Sequence, residues 1–285
     1  MPRVLTQLLS TPLAVLGGTS AMTHELVMSD RLLRMPLPLS RRVGFVQLRG
    51  GAGASSTAAY VASLLARRRS GMVLGVNAST GTSSMLWHAG LPSTAQHYPS
   101  ERRSGARSTS DARDGLPITA SGLYALDLQS IAVTRGSASP ATWAEHLDPI
   151  TRFYDVVATD WGVRPWQVDL GQVAAASHVV CLVARADRFA LEEAAAVIPA
   201  LLAHPDAPRV VVALVDLGRT ADRSADLVRR AIGVPVISIP HDRARSSARP
   251  IRSQALGAAT RIAYTRLATA LLGSGTGSTA TGVDS

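Results

Sequence analysis

Residues 43–57, VGFVQLRGGAGASST, run from an unbroken apolar stretch through a Gly-rich turn into small residues that open a helix. A strand without polar alternation is buried on both faces, so its sheet needs helices on either side. The same grammar continues. STAAYVASLLARRR has apolar residues at helical spacing (Ala58, Val61, Leu64, Leu65), and GMVLGVNAS is a second apolar run. Strand, Gly loop, helix, strand is the opening of a right-handed parallel βαβ unit.

Later segments repeat the pattern. GLYALDL reads as a strand, and SPATWAEHLDPITRF as a helix with Ser139 as N-cap and Pro140 at its first position. YDVVATD is a strand ending in an acid, ASHVVCLVAR a strand, ALEEAAAVIPALLAH a helix and PRVVVALVDL a strand. RSADLVRRAI is a helix, VPVISIP a strand and SQALGAATRIAYTRLATALL a closing helix. In that last helix Ile262, Leu267 and Leu271 form a core stripe, and Arg261 and Arg266 a solvated face. The expectation is an α/β protein of three layers, with a mostly parallel sheet flanked by helices.

Three segments frame this domain. Residues 1–40 show no sustained period and end in a connector marked by Pro36 and Pro38. Residues 90–120, rich in Ser, Arg, Gly and Pro, read as a long, mobile surface insertion. Residues 273–285 read as a disordered tail. One domain is expected over 41–272, with no internal repeat.

Bulk properties narrow the function classes. The chain has 285 residues, 46% of them hydrophobic and only 4% aromatic, so its core is built from Ala, Val and Leu. The net charge of +9 is carried by Arg, without a dense basic block longer than ARRR. Such charge can attract nucleic acid, anionic lipid or an acidic partner, and by itself is weak evidence for nucleic acid. A single cysteine, Cys181, sits in an apolar run and reads as a small core residue of a protein from a reducing compartment. No apolar run reaches the ~18 residues of a membrane-spanning helix. The N-terminus faintly resembles a signal peptide, but Gln7, Ser10, Thr11 and Pro12 interrupt its apolar part. The seven His (24, 88, 97, 146, 178, 204, 241) show no metal-binding spacing, and no Ser/His/Asp set stands out.

In an open parallel sheet, ligands sit beyond the carboxyl ends of the strands. That directs attention to the segments after Leu48, Val76 and Thr159. Gly50, Gly51 and Gly53 let the backbone turn its N–H groups inward, and the helix start adds partial positive charge. Such a loop either cradles an anion or is a tight strand–helix turn with no ligand. Asp160 could bind an ion or cap the next turn, and Trp161 and Trp166 could fill the core or form a partner surface.

RGGAGASST resembles the K-G-G-x-G-K-[ST]-[ST] loop of the MinD/ParA family of deviant P-loop ATPases, within the SIMIBI class. Residues 41–86, with their basic, Pro-containing lead-in, resemble the MinD-like proteins associated with actinobacterial type VII secretion, in which this loop is often degenerate. The resemblance implies a P-loop (Rossmann-like) fold and a nucleotide site made by Arg49, Gly50, Gly51, Ala52, Gly53, Ala54, Ser55, Ser56, Asn77, Pro240 and Asp242. Arg49 falls on the Lys that reaches a dimer partner's nucleotide, and Ala54 on the Lys that contacts the β- and γ-phosphates. Ser55 falls on the hydroxyl that holds Mg²⁺. FYDVVATDWG places Asp160 on the Walker-B acid, so Ser55 and Asp160 would be the metal residues. Asn77 stands at the switch acid of V-D-A-N-P, and Leu214 at an adenine-reading Asn.

Three departures, at 54, 77 and 214, point away from efficient hydrolysis, because phosphoryl transfer depends on positioning and charge. The resemblance thus implies a pseudo-ATPase, an accessory factor that docks on secretion machinery, with weak ATP/Mg²⁺ binding at most. A homodimer is implied too, in the cytoplasm or held at the inner membrane face by a partner. The alternatives are a working partition-type ATPase with Arg49 as its phosphate cation, and a dinucleotide enzyme reading Gly51-x-Gly53-x-x-Ser56 as G-x-G-x-x-G/A. The latter wants an acid where Asn77 stands.

Overall fold

The computed structural model describes residues 22–81, 83–92, 99–131, 137–164, 169–218, 230–245, 250 and 253–273. Seven strands form one all-parallel sheet: β1 (Arg41–Gln47), β2 (Val73–Asn77), β3 (Tyr124–Asp127), β4 (Val156–Val163), β5 (Val179–Arg185), β6 (Arg209–Val215) and β7 (Val236–Ile239). Their spatial order is β3-β2-β4-β1-β5-β6-β7. Each apolar run named from the sequence is one of these strands, and the expected three-layer α/β architecture is the observed one.

Two apolar cores follow from burial on both faces. On one face Val43, Phe45, Cys181 and Val211 pack under α1 (22–34), α2 (Ala54–Arg68), α3 (Met85–His88) and the closing helix α10 (Ala258–Leu272). On the other face Val46, Leu74, Val180 and Val212 pack with Trp143, Val173 and Leu191, which come from α7 (Pro140–Leu147), α8 (Leu170–Ala175) and α9 (Arg188–Leu202). Ser139 caps α7 by accepting from the Thr142 N–H, with Pro140 in its first turn, as expected. Asp187 caps α9 in the same way, through Ala190. In α10, Leu267 and Leu271 are buried and Arg261 and Arg266 exposed; Ile262 is half-buried. Cys181 is buried in β5, and burial pushes its thiol pKa up. Among the described residues, no helix is long and apolar enough to cross a membrane.

Two segments differ from expectation. The N-terminal stretch contains α1, docked through buried Ser29 and Leu33 and through ion pairs from Glu25 to Arg266 and from Asp30 to Arg68. Its period is obscured because Met28, Leu32 and Met35 place a second apolar stripe on the exposed face. The 90–120 segment is folded wherever it is described. It carries α4 (Glu101–Ser104) and α5 (Thr109–Ala112), followed after β3 by α6 (Leu128–Ile131). Its polar residues are used in caps rather than left to water: Ser100 accepts from Arg103 N, and Ser108 and Asp111 form a capping box. The Tyr154 hydroxyl donates to Ala112 O at 2.9 Å and Arg152 to Ala106 O at 2.7 Å, which anchors the segment to the domain. Of the expected helix over 223–232, residues 223–229 fall outside the described residues, while Arg230 and Ala231 are helical; most of the C-terminal tail also falls outside.

Candidate functional site

The carboxyl ends of β1, β2 and β4 bring together the three segments singled out in the sequence. β1 ends at Gln47; Gly51 and Gly53 then take positive φ (82° and 90°), which turns the chain into α2 at Ala54. The strand ladders set Asn77 opposite Asp160 on one side and Asp127 on the other. Beyond Phe45 the β1–β4 register shifts by one residue at Trp161, which swings Gly162 and Val163 alongside the loop.

Asp160 is fully buried. Burial drives its pKa above the ordinary carboxylate value, partly offset by hydrogen bonds from the Ser55 hydroxyl, Gly162 N–H, the Ser79 hydroxyl and Met85 N–H. The Ser55 hydroxyl thus acts on the carboxylate of its proposed metal partner, but that carboxylate already accepts from the Ser79 hydroxyl at 3.1 Å and from Gly162 N–H at 3.0 Å. Asn77 is equally occupied. Its Nδ2 donates to Asp127 Oδ1 at 2.9 Å, and its Oδ1 faces the Ser79 hydroxyl at 2.8 Å.

Neither motif position places a cation in the loop; a guanidinium reaches it from beyond β7 instead, with Arg245 Nη2 3.1 Å from where a Cβ on Gly53 would stand. Ala54 is 1% exposed, a methyl group at the position where a Lys was expected. Arg49 turns outward; its Nε donates to both Glu193 oxygens at 2.8 and 2.9 Å, and its guanidinium lies 4.6 Å from the centre of the Phe189 ring. Leu48, Arg49, Gly50, Ala52 and Phe189 line a cavity of about 210 Å³ beside the loop. Val163 and Phe189, 44% and 56% exposed, give this end of the sheet an apolar rim.

The expected base-flanking residues serve the scaffold. Asp242 accepts from Ala244 N and Gly257 N, both at 2.9 Å, which ties the segment after β7 to the start of α10. Burial raises its pKa, but those N–H groups and the Thr260 hydroxyl outweigh it and leave it below the ordinary value. Pro240 is half-buried just beyond β7, and Leu214 is buried in the core within β6. Trp161 is fully buried, so it fills the core; Trp166 lies outside the described residues.

Two residues of the site were not singled out from the sequence. Gln47 accepts the Ala54 N–H on its Oε1 at 3.2 Å. The signal was a polar residue on the inward phase of β1, following Val43 and Phe45. Arg164 is 3% exposed, and its guanidinium donates to the carbonyls of Trp161, Ala78 and Ala138 at 2.8–3.1 Å. It clamps the segments that follow β2 and β4. A buried Arg in DWGVRPW has no sequence signature, since only the fold delivers three carbonyls to one point. Among the described residues, no group of three His, Cys, Asp or Glu could hold a metal ion.

The seven-stranded parallel sheet and its flanking helices have the ParA/MinD fold. The chain superposes on a ParA family ATPase from Chlorobium tepidum TLS with a TM-score of 0.61 and 20% identity, over 80% of this chain and 98% of the other. The cell-division ATPase MinD of Pyrococcus furiosus gives a TM-score of 0.59 and 18% identity, over 81% and 98%. In sequence, the chain is 28% identical over 147 residues to EspI, an ESX-1 secretion-associated protein of Mycobacterium tuberculosis. That match takes in 52% of this chain and 22% of EspI, so the chain spans about a fifth of its curated relative. No family model matches.

Proposed function

We propose that this chain is a non-hydrolysing ParA/MinD-like accessory factor of a type VII-like secretion system, acting by protein docking. The observation that carries this reading is the buried methyl group of Ala54 in a loop whose neighbouring cation, Arg49, is held outward by Glu193. Phosphoryl transfer needs preorganised positive charge at the developing oxyanions, and an outward Arg supplies none there. Asn77 cannot act as a switch carboxylate, and its amide is engaged by Asp127 and Ser79. Arg164 fixes the segments that would have to move around a nucleotide.

The apolar rim of Leu48, Val163 and Phe189 is the docking face, as a homodimer contact or for a secretion component. Through such a partner the protein would sit in the cytoplasm, at the inner membrane face. The named role of EspI supports the secretion setting. ATP and Mg²⁺ bind weakly at most, through Gly50–Ser56 and the Ser55–Asp160 pair.

The test is phosphate release by the purified chain with ATP and Mg²⁺. No turnover above the protein-free rate is expected. Turnover at rates typical of partition ATPases, abolished by Asp160→Ala, would sink this reading. It would favour the second one, a working ATPase, for which the Ser55–Asp160 contact is the supporting observation. The docking arm is tested in the native host. Phe189→Asp should abolish secretion while Ser55→Ala leaves it intact; the reverse pattern places function in the nucleotide site instead.

A further inference from the structure

We infer that Gln47 is the specificity-determining residue of this loop: its carboxamide oxygen occupies the acceptor position that a phosphate oxygen would take. The inference rests on residues 49–56 being a phosphate-type loop.

Such a loop binds through the backbone N–H groups at the start of the following helix. Ala54 is the first residue of α2, and its N–H already has an acceptor, Gln47 Oε1, at 3.2 Å. The atom facing that N–H must be the amide oxygen, because the amide nitrogen could only donate. Neither partner is open to water: Gln47 is 8% exposed and Ala54 1%.

The placement follows from the strand. Val43 and Phe45 of β1 face the core beneath α2, and Val46 faces the opposite core. Period two returns Gln47 to the α2 side at the point where β1 ends. The main chain there is fixed as well, since Gln47 O accepts from Arg164 N at 3.1 Å. A side chain of this length at that position reaches the first turn of α2; an apolar residue would leave the Ala54 N–H to a ligand.

Gln47 and Ala54 then act together. A carboxamide is neutral, so it needs no Lys opposite it, and a methyl at 54 leaves it undisturbed. A phosphate entering this loop must displace Gln47 and also do without a Lys at 54, with the Arg245 guanidinium beside Gly53 as the nearby charge. The two substitutions are complementary, and reversing one alone is insufficient.

The experiment uses the full chain and four variants: Gln47→Ala, Ala54→Lys, Gln47→Ala/Ala54→Lys and Gln47→Glu/Ala54→Lys. Two quantities are read. One is the Ala54 backbone amide, by its ¹⁵N–¹H resonance and hydrogen exchange in Gln47→Ala. The other is affinity for ATP with Mg²⁺ and for inorganic pyrophosphate, by calorimetry. We expect Gln47→Ala to shift the Ala54 resonance and speed its exchange. We expect the Ala/Lys double variant to bind about five- to tenfold more tightly than Ala54→Lys, the worth of one displaced hydrogen bond. The Glu/Lys variant should bind more weakly than Ala54→Lys, because a carboxylate holds the N–H and repels phosphate.

An unchanged Ala54 amide in Gln47→Ala overturns the inference, as does Ala54→Lys binding as tightly as the Ala/Lys double variant. If the amide responds but no variant binds either polyanion, the contact is real and the loop is no phosphate site, which also overturns it. The proposed function fails separately, by wild-type phosphate release.

Discussion

At the scale of single residues, two glycines with left-handed backbones, Gly162 within β4 and Gly233 just before β7, separate two costs. Gly162 has φ of 66°, and a Cβ there would stand 2.6 Å from the Ser79 Cβ. Ser79 is the hydroxyl that joins Asn77 to Asp160. Gly162→Ala should therefore cost about 2–4 kcal/mol, from a left-handed backbone and from overpacking together. Gly233 has a similar φ of 70° with nothing within 4 Å of its Cβ position. Gly233→Ala should cost only the backbone part, about 1–2 kcal/mol. Denaturant unfolding of both variants separates the two contributions; equal losses would mean that contact with Ser79 is unimportant.

At the scale of elements, the start of β5 carries a pH dependence. His178 Nδ1 accepts the Arg42 N–H at 3.1 Å, which joins the beginnings of β1 and β5. Burial, then Arg42 and Arg41, push its pKa below the ordinary value. His88, at the end of α3, is pushed down by burial and by Arg245. The fold thus holds both rings neutral, whereas the unfolded chain protonates them below pH ~6.5. Their contribution is complete above that pH and is lost as the pH falls towards the depressed folded values. Thermal melts from pH 7.5 to 5 should show falling stability. His178→Asn keeps an acceptor for Arg42 and should flatten the slope, leaving the part due to His88. An unchanged slope would show that His178 does not titrate differently in the two states.

Legibility at this scale was uneven. The strands were readable because unbroken apolar runs report burial on two faces, and α7 because Ser139-Pro140 is a local start signal. α1 was hidden, since Leu33 faces the core while Met28 and Leu32 face outward. The 99–120 segment looked like a solvated insertion because its Ser and Asp residues are polar by type, although they serve as caps.

At the scale of the whole molecule, Cys181 reports on the sheet. β5 pairs with β1 and β6, and Cys181 lies in register with Phe45 and Val211 beneath the α2–α10 layer. Exposing it requires lifting that helix layer or parting two strand pairs. A thiol reagent should label native protein only at the global unfolding rate, with the same denaturant dependence as the loss of helical circular dichroism. Labelling faster than unfolding would mean that the helix layer or the sheet opens locally over β5.

Apolar periodicity and Gly placement determined the sheet, its parallel sense and the loop at its edge, because those properties are local in the chain. The absence of a Lys at 54 and of an acid at 77 was legible for the same reason. Only the tertiary structure decided what took their places. Arg49 is drawn off by Glu193, 144 residues away in sequence. Arg164 finds its carbonyls 26 and 86 residues upstream. Gln47 meets Ala54 only because the Gly turn folds α2 back over the end of β1. A hydrogen-bond partner is chosen by proximity in space, and proximity across that many residues is set by the fold as a whole.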